Sequence, residues 1–324
     1  MSSTIATETE ASQSVEIAAP PSPPQNEDVA PTTTKPYYDI ELNYRLDPRE
    51  GGDEIIWGGT VGQMRRKYKK TTVRINDTRG HEDDFQLDVH GFQWVKHTSA
   101  VKDFDDYMAV KEGPYYDETA TLMKKLTGAT RVHVISHITR ALNYEDTSEE
   151  EKDKPDMTMT KGLTPARFVH IDQSYDGAVR RLWDDIGAEE AARLEKTRWA
   201  IVNLWRPLRK VTNEPLGVCD SRSVQDDELF DTMHLVPVRW PEAKPPENHM
   251  WAVAPPKSLE QHKWHYLSGM TSDEALLIKI FDSKKDGRAR RVPHSAFPTP
   301  DDFGPTRAST ETRCFVFWED EDAE

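Results

Sequence analysis

His170 and Asp172 stand two residues apart in Val169-His170-Ile171-Asp172-Gln173-Ser174. On a strand both side chains leave the same face while Ile171 leaves the other. One metal ion can take both. A second histidine from elsewhere would complete the triad of two histidines and one carboxylate, which fills one side of an octahedral iron(II) and leaves the other side open. His294, in Arg291-Val292-Pro293-His294-Ser295-Ala296-Phe297, follows the apolar run 275–281 and is the candidate for that role. The metal and catalytic set read from the sequence is therefore His170, Asp172 and His294.

The open positions are where chemistry would happen. Two suit the keto-acid oxygens of 2-oxoglutarate and the third suits dioxygen, so the expected cofactors are Fe(II), 2-oxoglutarate and O2. A guanidinium is the natural partner for the distal carboxylate of the keto acid, because its planar fork makes two parallel charge-assisted hydrogen bonds. Arg307 stands in an Arg-x-Ser context with Ser309, and Arg313 follows at the head of the last apolar run. Arg307 is the favoured partner and Arg313 the alternative; a strand beginning near Thr306 would put residues 307, 309, 311 and 313 on one face. A surface ion pair is the competing role for each arginine. Other candidates are weaker. His262 and His265 in HKWH lack a third close ligand, His133 and His137 read as strand and loop residues, and Trp205, Trp264 and Tyr266 read as core aromatics.

These side chains need elements to hold them. Residues 37–91 alternate in short runs broken by Gly-Gly and by the turn Asn76-Asp77-Thr78-Arg79-Gly80, which predicts strands and loops. Residues 103–128 predict helix, interrupted at Gly113-Pro114 and ended by Gly128. Residues 130–138 and 166–171 predict strands, and 176–197 an amphipathic helix. Residues 144–160 carry many charges, no apolar period and Pro155, and read as a mobile surface loop that would gate a pocket. Further strands are expected at 199–205, 216–219, 275–281 and 313–318. The second half is thus a barrel or sandwich of short strands, with the helices supplied mainly by the first half.

The chain of 324 residues can bury a core without staples, so a metal here would serve chemistry. Its two cysteines, Cys219 and Cys314, have no zinc or disulfide spacing, which fits a reducing, cytoplasmic setting. Net charge of −15 disfavours nucleic acid and anionic membrane. No apolar run approaches the roughly 18 residues of a membrane span. The first residues lack secretory or mitochondrial targeting features. Residues 1–36, rich in Ser, Thr, Pro and Glu, read as a disordered leader; 37–318 as a single catalytic domain; and 319–324 as an acidic tail, solvated like the acidic run 145–156.

The chain resembles the fungal and bacterial AsaB-type hydroxylase/desaturases, similar to gibberellin desaturase and related to the small component of cephamycin methoxylation. The resemblance spans residues 38–318. It rests on His170-Ile171-Asp172-Gln173-Ser174, Asn203-Leu204-Trp205-Arg206-Pro207-Leu208, Pro215-Leu216-Gly217-Val218-Cys219-Asp220, Asp273-Glu274-Ala275-Leu276-Leu277-Ile278-Lys279-Ile280-Phe281-Asp282-Ser283 and His294-Ser295-Ala296-Phe297. Where Gly217 stands the family usually has Ala, and where Ala308 stands a Glu; neither position is a proposed ligand. The resemblance implies an α+β chain with a mainly β core, a double-stranded β-helix (jelly-roll, cupin-like) with flanking helices. It also implies an iron(II)/2-oxoglutarate-dependent oxidation of a C–H bond in a small molecule of secondary metabolism, by hydroxylation, desaturation or ring formation. In that reading Asn203 and Arg206 lie on a strand beside the metal strand and contact cosubstrate or substrate. A monomer or homodimer is expected. The rival readings are a catalytically silent cupin-like accessory protein and a zinc hydrolase using the same ligands.

Overall fold

Runs of β-branched and aromatic residues dominate the chain from Tyr37 onward, and most of them form strands. The structure, a computed structural model, describes residues 35–151, 153–237 and 247–323. The leader expected at 1–36 lies almost wholly outside the described residues.

Two sheets carry the fold. The larger is a curled nine-stranded sheet whose spatial order is β1 (Tyr37–Tyr44), β3 (Lys69–Asp77), β11 (Trp264–Tyr266), β8 (Leu216–Cys219), β13 (His294–Ala296), β6 (His170–Ile171), β10 (Glu247–Val253), β9 (Leu229–Leu235) and β2 (Ile55–Trp57). The smaller has five strands in the order β4 (Phe92–Lys96), β12 (Glu274–Asp282), β7 (Thr197–Pro207), β14 (Ser309–Asp322) and β5 (Arg131–Arg140). One apolar cluster spans the two sheets, with Ile75, Ile171, Val218 and Trp264 from the large sheet and Ile201, Trp205, Ile278 and Phe315 from the small one. This is the jelly-roll core that the residues and the resemblance predicted.

The strand β7 is buried along nearly its whole length because the small sheet is covered on both sides. Odd-numbered Ile201 and Trp205 face the inner core. Even-numbered Ala200, Val202 and Leu204 face a second cluster that includes Leu122 and Met123 of the helix Tyr115–Thr127. Each such fully buried aliphatic side chain contributes about 1.5–3 kcal/mol.

Short helices fill the joints: α1 (Val61–Met64), α2 (Leu87–His90), α3 (Tyr107–Glu112), α4 (Tyr115–Thr127), α5 (Tyr144–Glu151), α6 (Tyr175–Ile186) and α7 (Ala188–Leu194). Asp106 caps α3 by accepting from the backbone N–H of Met108 and Ala109. Gly128, at φ 72°, ends α4 as predicted.

Four expectations need correction. Residues 144–151 are helical, not a loop. Asn143 accepts from the Asp146 N–H, Glu145 and Asp146 suit the positive helix start, and the acidic residues find partners in Arg167, Lys161 and Lys154. The helix expected over 176–197 breaks at Gly187, φ 88°, into α6 and α7. The strand expected at 166–171 shrinks to the two residues of β6. The supposed acidic tail continues β14 to Asp322, held by Arg193 to Glu319 at 2.7 Å and Arg198 to Glu321 at 3.5 Å.

Candidate metal centre

The backbone brings the three predicted ligands together. His170 on β6 is the direct antiparallel partner of His294 on β13, so both rings leave the same inner face, with centroids 4.4 Å apart. Asp172 follows one residue beyond β6 and keeps the parity of His170. All three are buried, and their ligand atoms lie within 4.8 Å of one another. Asp172 Oδ1 is 3.4 Å from His170 Nε2 and 3.5 Å from His294 Nε2.

What surrounds these atoms decides which of them face a metal. His170 Nδ1 is 2.8 Å from the Phe168 carbonyl and His294 Nδ1 is 3.2 Å from that of Val292. With Nδ1–H donating in each case, both Nε2 lone pairs are free and point inward. Phe168 also stacks on the His170 ring at 4.3 Å, fixing its plane. Asp172 divides its oxygens in the same way. Oδ2 accepts from Asn203 Nδ2 at 2.8 Å and from Arg313 Nε at 3.3 Å, which leaves Oδ1 for the cation. Asn203 and Arg313 are direct cross-strand neighbours on β7 and β14, so the small sheet grips Asp172, which follows a strand of the large one.

Charge follows from this packing. Burial pushes the Asp172 carboxyl up, but the Arg313 guanidinium and the two imidazoles outweigh it and hold it well below the usual carboxylate range. Burial, reinforced by the neighbouring His294, lowers the pKa of His170. His294 is lowered by burial yet raised more by Asp172, so its net direction is up. One anionic oxygen and two imidazoles that together border a cavity fit a first-row cation with an open side.

The predicted cosubstrate residues divide. Arg307 and Ser309 are buried in a narrow cavity that reaches both histidines and Asp172, walled by Trp205, Leu216 and Ala296. Arg307 Nη1 donates to the Glu214 carbonyl at 2.8 Å, its guanidinium lies 5.4 Å from the Trp205 ring centroid, and its Nε has no partner. Burial lowers its pKa to about 10. Arg313 instead pairs with Asp172 and, at 3.1 Å, with Glu311. Arg206 does not reach the centre. It is three residues from Asn203 and so leaves β7 on the other face, where it donates to the His97 carbonyl and packs 6.0 Å from the Tyr115 ring. His262, from the HKWH run, is occupied by Tyr44 and Glu228.

Comparison with known proteins agrees with this geometry. Residues 42–317 match the family described as "Oxidoreductase/YMDC permease-like domain". The chain is 69% identical to the hydroxylase/desaturase CTB9 of Cercospora beticola, over 324 residues and 100% of both chains. It is 42% identical to the hydroxylase/desaturase efuI of Hormonema carpetanum, over 89% of this chain and 98% of that one. A solved structure of the iron and alpha-ketoglutarate-dependent endoperoxidase NvfI superposes with a TM-score of 0.71 at 29% identity, covering 88% of this chain and 99% of that one; the nvfI sequence of Aspergillus novofumigatus is named an Fe(II)/2-oxoglutarate-dependent dioxygenase. The chain belongs to the hydroxylase/desaturase family of Fe(II)/2-oxoglutarate-dependent dioxygenases.

A second, wider cavity of about 560 Å³ opens beside the metal centre of this oxygenase. Its walls combine apolar side chains, with Ile135, Ile138, Phe168 and Met250 among them, and many polar and charged ones, including Arg181, Asp184, Asp185 and Glu247. Two further polar residues there were not singled out from the sequence. His234 on β9 is kept neutral by burial, then by Arg313 and His170, with a pKa of about 4. Its ring fits only because residue 58 is glycine: a Cβ there would lie 2.3 Å from His234 Nε2. Arg140 ends β5 and lines both cavities. Neither residue sits in a motif, and only the strand register of the folded chain turns them inward. No helix of the described residues is long and apolar enough to cross a membrane.

Proposed function

We propose that this oxygenase binds iron(II) through His170 Nε2, Asp172 Oδ1 and His294 Nε2 and oxidises a C–H bond of a small molecule of secondary metabolism, by hydroxylation, desaturation or ring formation. When bound, iron(II) with 2-oxoglutarate supplies an oxidant strong enough for an unactivated C–H bond. One observation carries the reading: both imidazoles spend Nδ1, and the carboxylate spends Oδ2, on protein partners, so the three remaining donor atoms converge with one side left open.

The chain's own residues do the rest. Asn203 and Arg313 fix the rotation of the Asp172 carboxylate. Arg307, desolvated against Trp205, receives the distal carboxylate of 2-oxoglutarate, with Ser309 beside it. The wide cavity takes the substrate, and its apolar wall orients a hydrocarbon segment toward the metal. Met159 lines this cavity, and the backbone of 156–160 bonds to residues 59–62, so this segment is suited to enclose substrate. The buried free thiols of Cys219 and Cys314 suit work in the cytosol. Substitution Asp172→Ala is the test. It is expected to abolish iron-dependent release of succinate from 2-oxoglutarate while leaving the circular dichroism spectrum unchanged; unaltered turnover by a folded variant would refute the ligand assignment.

A further inference from the structure

Besides Arg307 and Arg313, a third arginine reaches the inner wall. Arg140 is the direct cross-strand partner of Ser309, so it shares a face with Ser309, Glu311 and Arg313. It borders the narrow cavity that holds Arg307 and both histidines, and also the wide one. The rest of the narrow cavity is part apolar, through Ile138, Ala166, Trp205, Leu216 and Ala296, and part polar, through Asp172, Ser309 and Glu311.

Arg140 has little to satisfy it. Its Nη1 donates to the Thr164 carbonyl at 2.9 Å, and among the described residues no ion pair reaches it. The carboxylates nearby are committed elsewhere. Arg313 takes Asp172 at 3.3 Å and Glu311 at 3.1 Å, and Arg167 takes Glu214. A guanidinium has five N–H donors, and the half-buried Arg140 spends one of them on this neutral acceptor, so the others are available to an anion in the cavity. Arg140 and Arg307 also repel each other across the cavity, and an anion seated with them would remove that cost.

We propose that Arg140 is a second cosubstrate-binding residue, which together with Arg307 takes the distal carboxylate of 2-oxoglutarate. The inference rests on the 2-oxoglutarate reading above. It assigns the carboxylate to two guanidiniums on β5 and on the approach to β14, so that keto-acid loading ties the edge strand of the small sheet to its neighbour.

The test is calorimetric titration of the Mn(II)-loaded full chain, in which no turnover occurs, with 2-oxoglutarate and with pyruvate. Pyruvate keeps the keto-acid head and lacks the distal carboxylate. Arg140→Met is expected to weaken 2-oxoglutarate about 10- to 100-fold, as loss of a charge-assisted hydrogen bond should. Pyruvate and Mn(II) affinities should stay within about twofold, on the ground that neither meets this side chain. Arg140→Gln, which keeps a donor for Thr164, carries the same expectation if the Met variant does not fold. Unchanged 2-oxoglutarate affinity in a folded variant overturns the proposal and leaves Arg140 to the substrate. Equal weakening of pyruvate also overturns it, since the effect would then be structural. Failure of the underlying reading looks different: wild-type protein would bind neither acid.

Discussion

Asn203 is fully buried, and its Nδ2 is 2.8 Å from Asp172 Oδ2, the oxygen not assigned to the proposed metal. Substitution Asn203→Ala removes that restraint and nothing else from the metal centre. A hydrogen bond to a charged acceptor is worth about 1.5–3 kcal/mol, which at about 1.4 kcal/mol per decade corresponds to roughly 10- to 150-fold in affinity. Arg313 still reaches the same oxygen at 3.3 Å, so the loss belongs at the low end, about 10- to 30-fold in Fe(II) affinity. The assay is anaerobic competition for Fe(II) against a chromogenic chelator, with the urea unfolding midpoint measured on the same samples. Truncating a buried amide lowers stability as well, by about 1–3 kcal/mol, and the midpoint shows whether the protein remains folded during titration. Fe(II) affinity within about twofold of wild type in a folded variant would refute the claim that the small sheet holds the carboxylate in place.

Two other outcomes follow from the packing. Lys279 Nζ is fully buried on the outer side of the small sheet, 2.8 Å from Asp282 and 2.5 Å from Asp88. Lys279→Ala leaves Arg198 at 3.1 Å as the remaining ion-pair partner of Asp282, beside the Lys284 backbone N–H, so urea unfolding should register a loss of about 3 kcal/mol, the low end for a broken buried pair, with Fe(II) affinity unchanged. Burial pushes the Cys219 thiol up to about 12 and raises Cys314 as well. Since the thiolate is the reactive form, a disulfide reagent at pH 8 should label neither in the folded protein and both in denaturant; rapid labelling of the native chain would contradict their burial.

The centre was legible where parity alone decides position. His170 and Asp172 share a face by their spacing of two, and residues 307, 309, 311 and 313 do so by the same rule; β14, though it starts at Ser309, keeps that register. Apolar runs revealed β7, β12 and β14 because both faces of the small sheet are covered. The rule of two also applied to Arg206, which is odd in spacing from Asn203 and so turns outward; family likeness had drawn attention to it instead. The three-residue β13 has too little length to announce itself, and β6 was read too long, at 166–171; their pairing is set by the long-range register of His170 with His294. The helix α5 has no apolar stripe, and its cap at Asn143 and its ion pairs are visible only in three dimensions. Arg140 and His234 were illegible for a similar reason: each is one polar residue at or near a strand end, and only the fold gives it a cavity to face.

The central claim is that His170, Asp172 and His294 hold one cation with an open side for a keto acid. The most direct measurement is the visible spectrum of the anaerobic Fe(II)-loaded protein as 2-oxoglutarate is added. The structure predicts a weak charge-transfer band in the wild-type protein, from a keto acid chelating the metal, and its loss in His294→Ala. An iron-loaded wild-type protein that binds 2-oxoglutarate without developing the band, or a His294→Ala variant that develops it undiminished, would contradict the account.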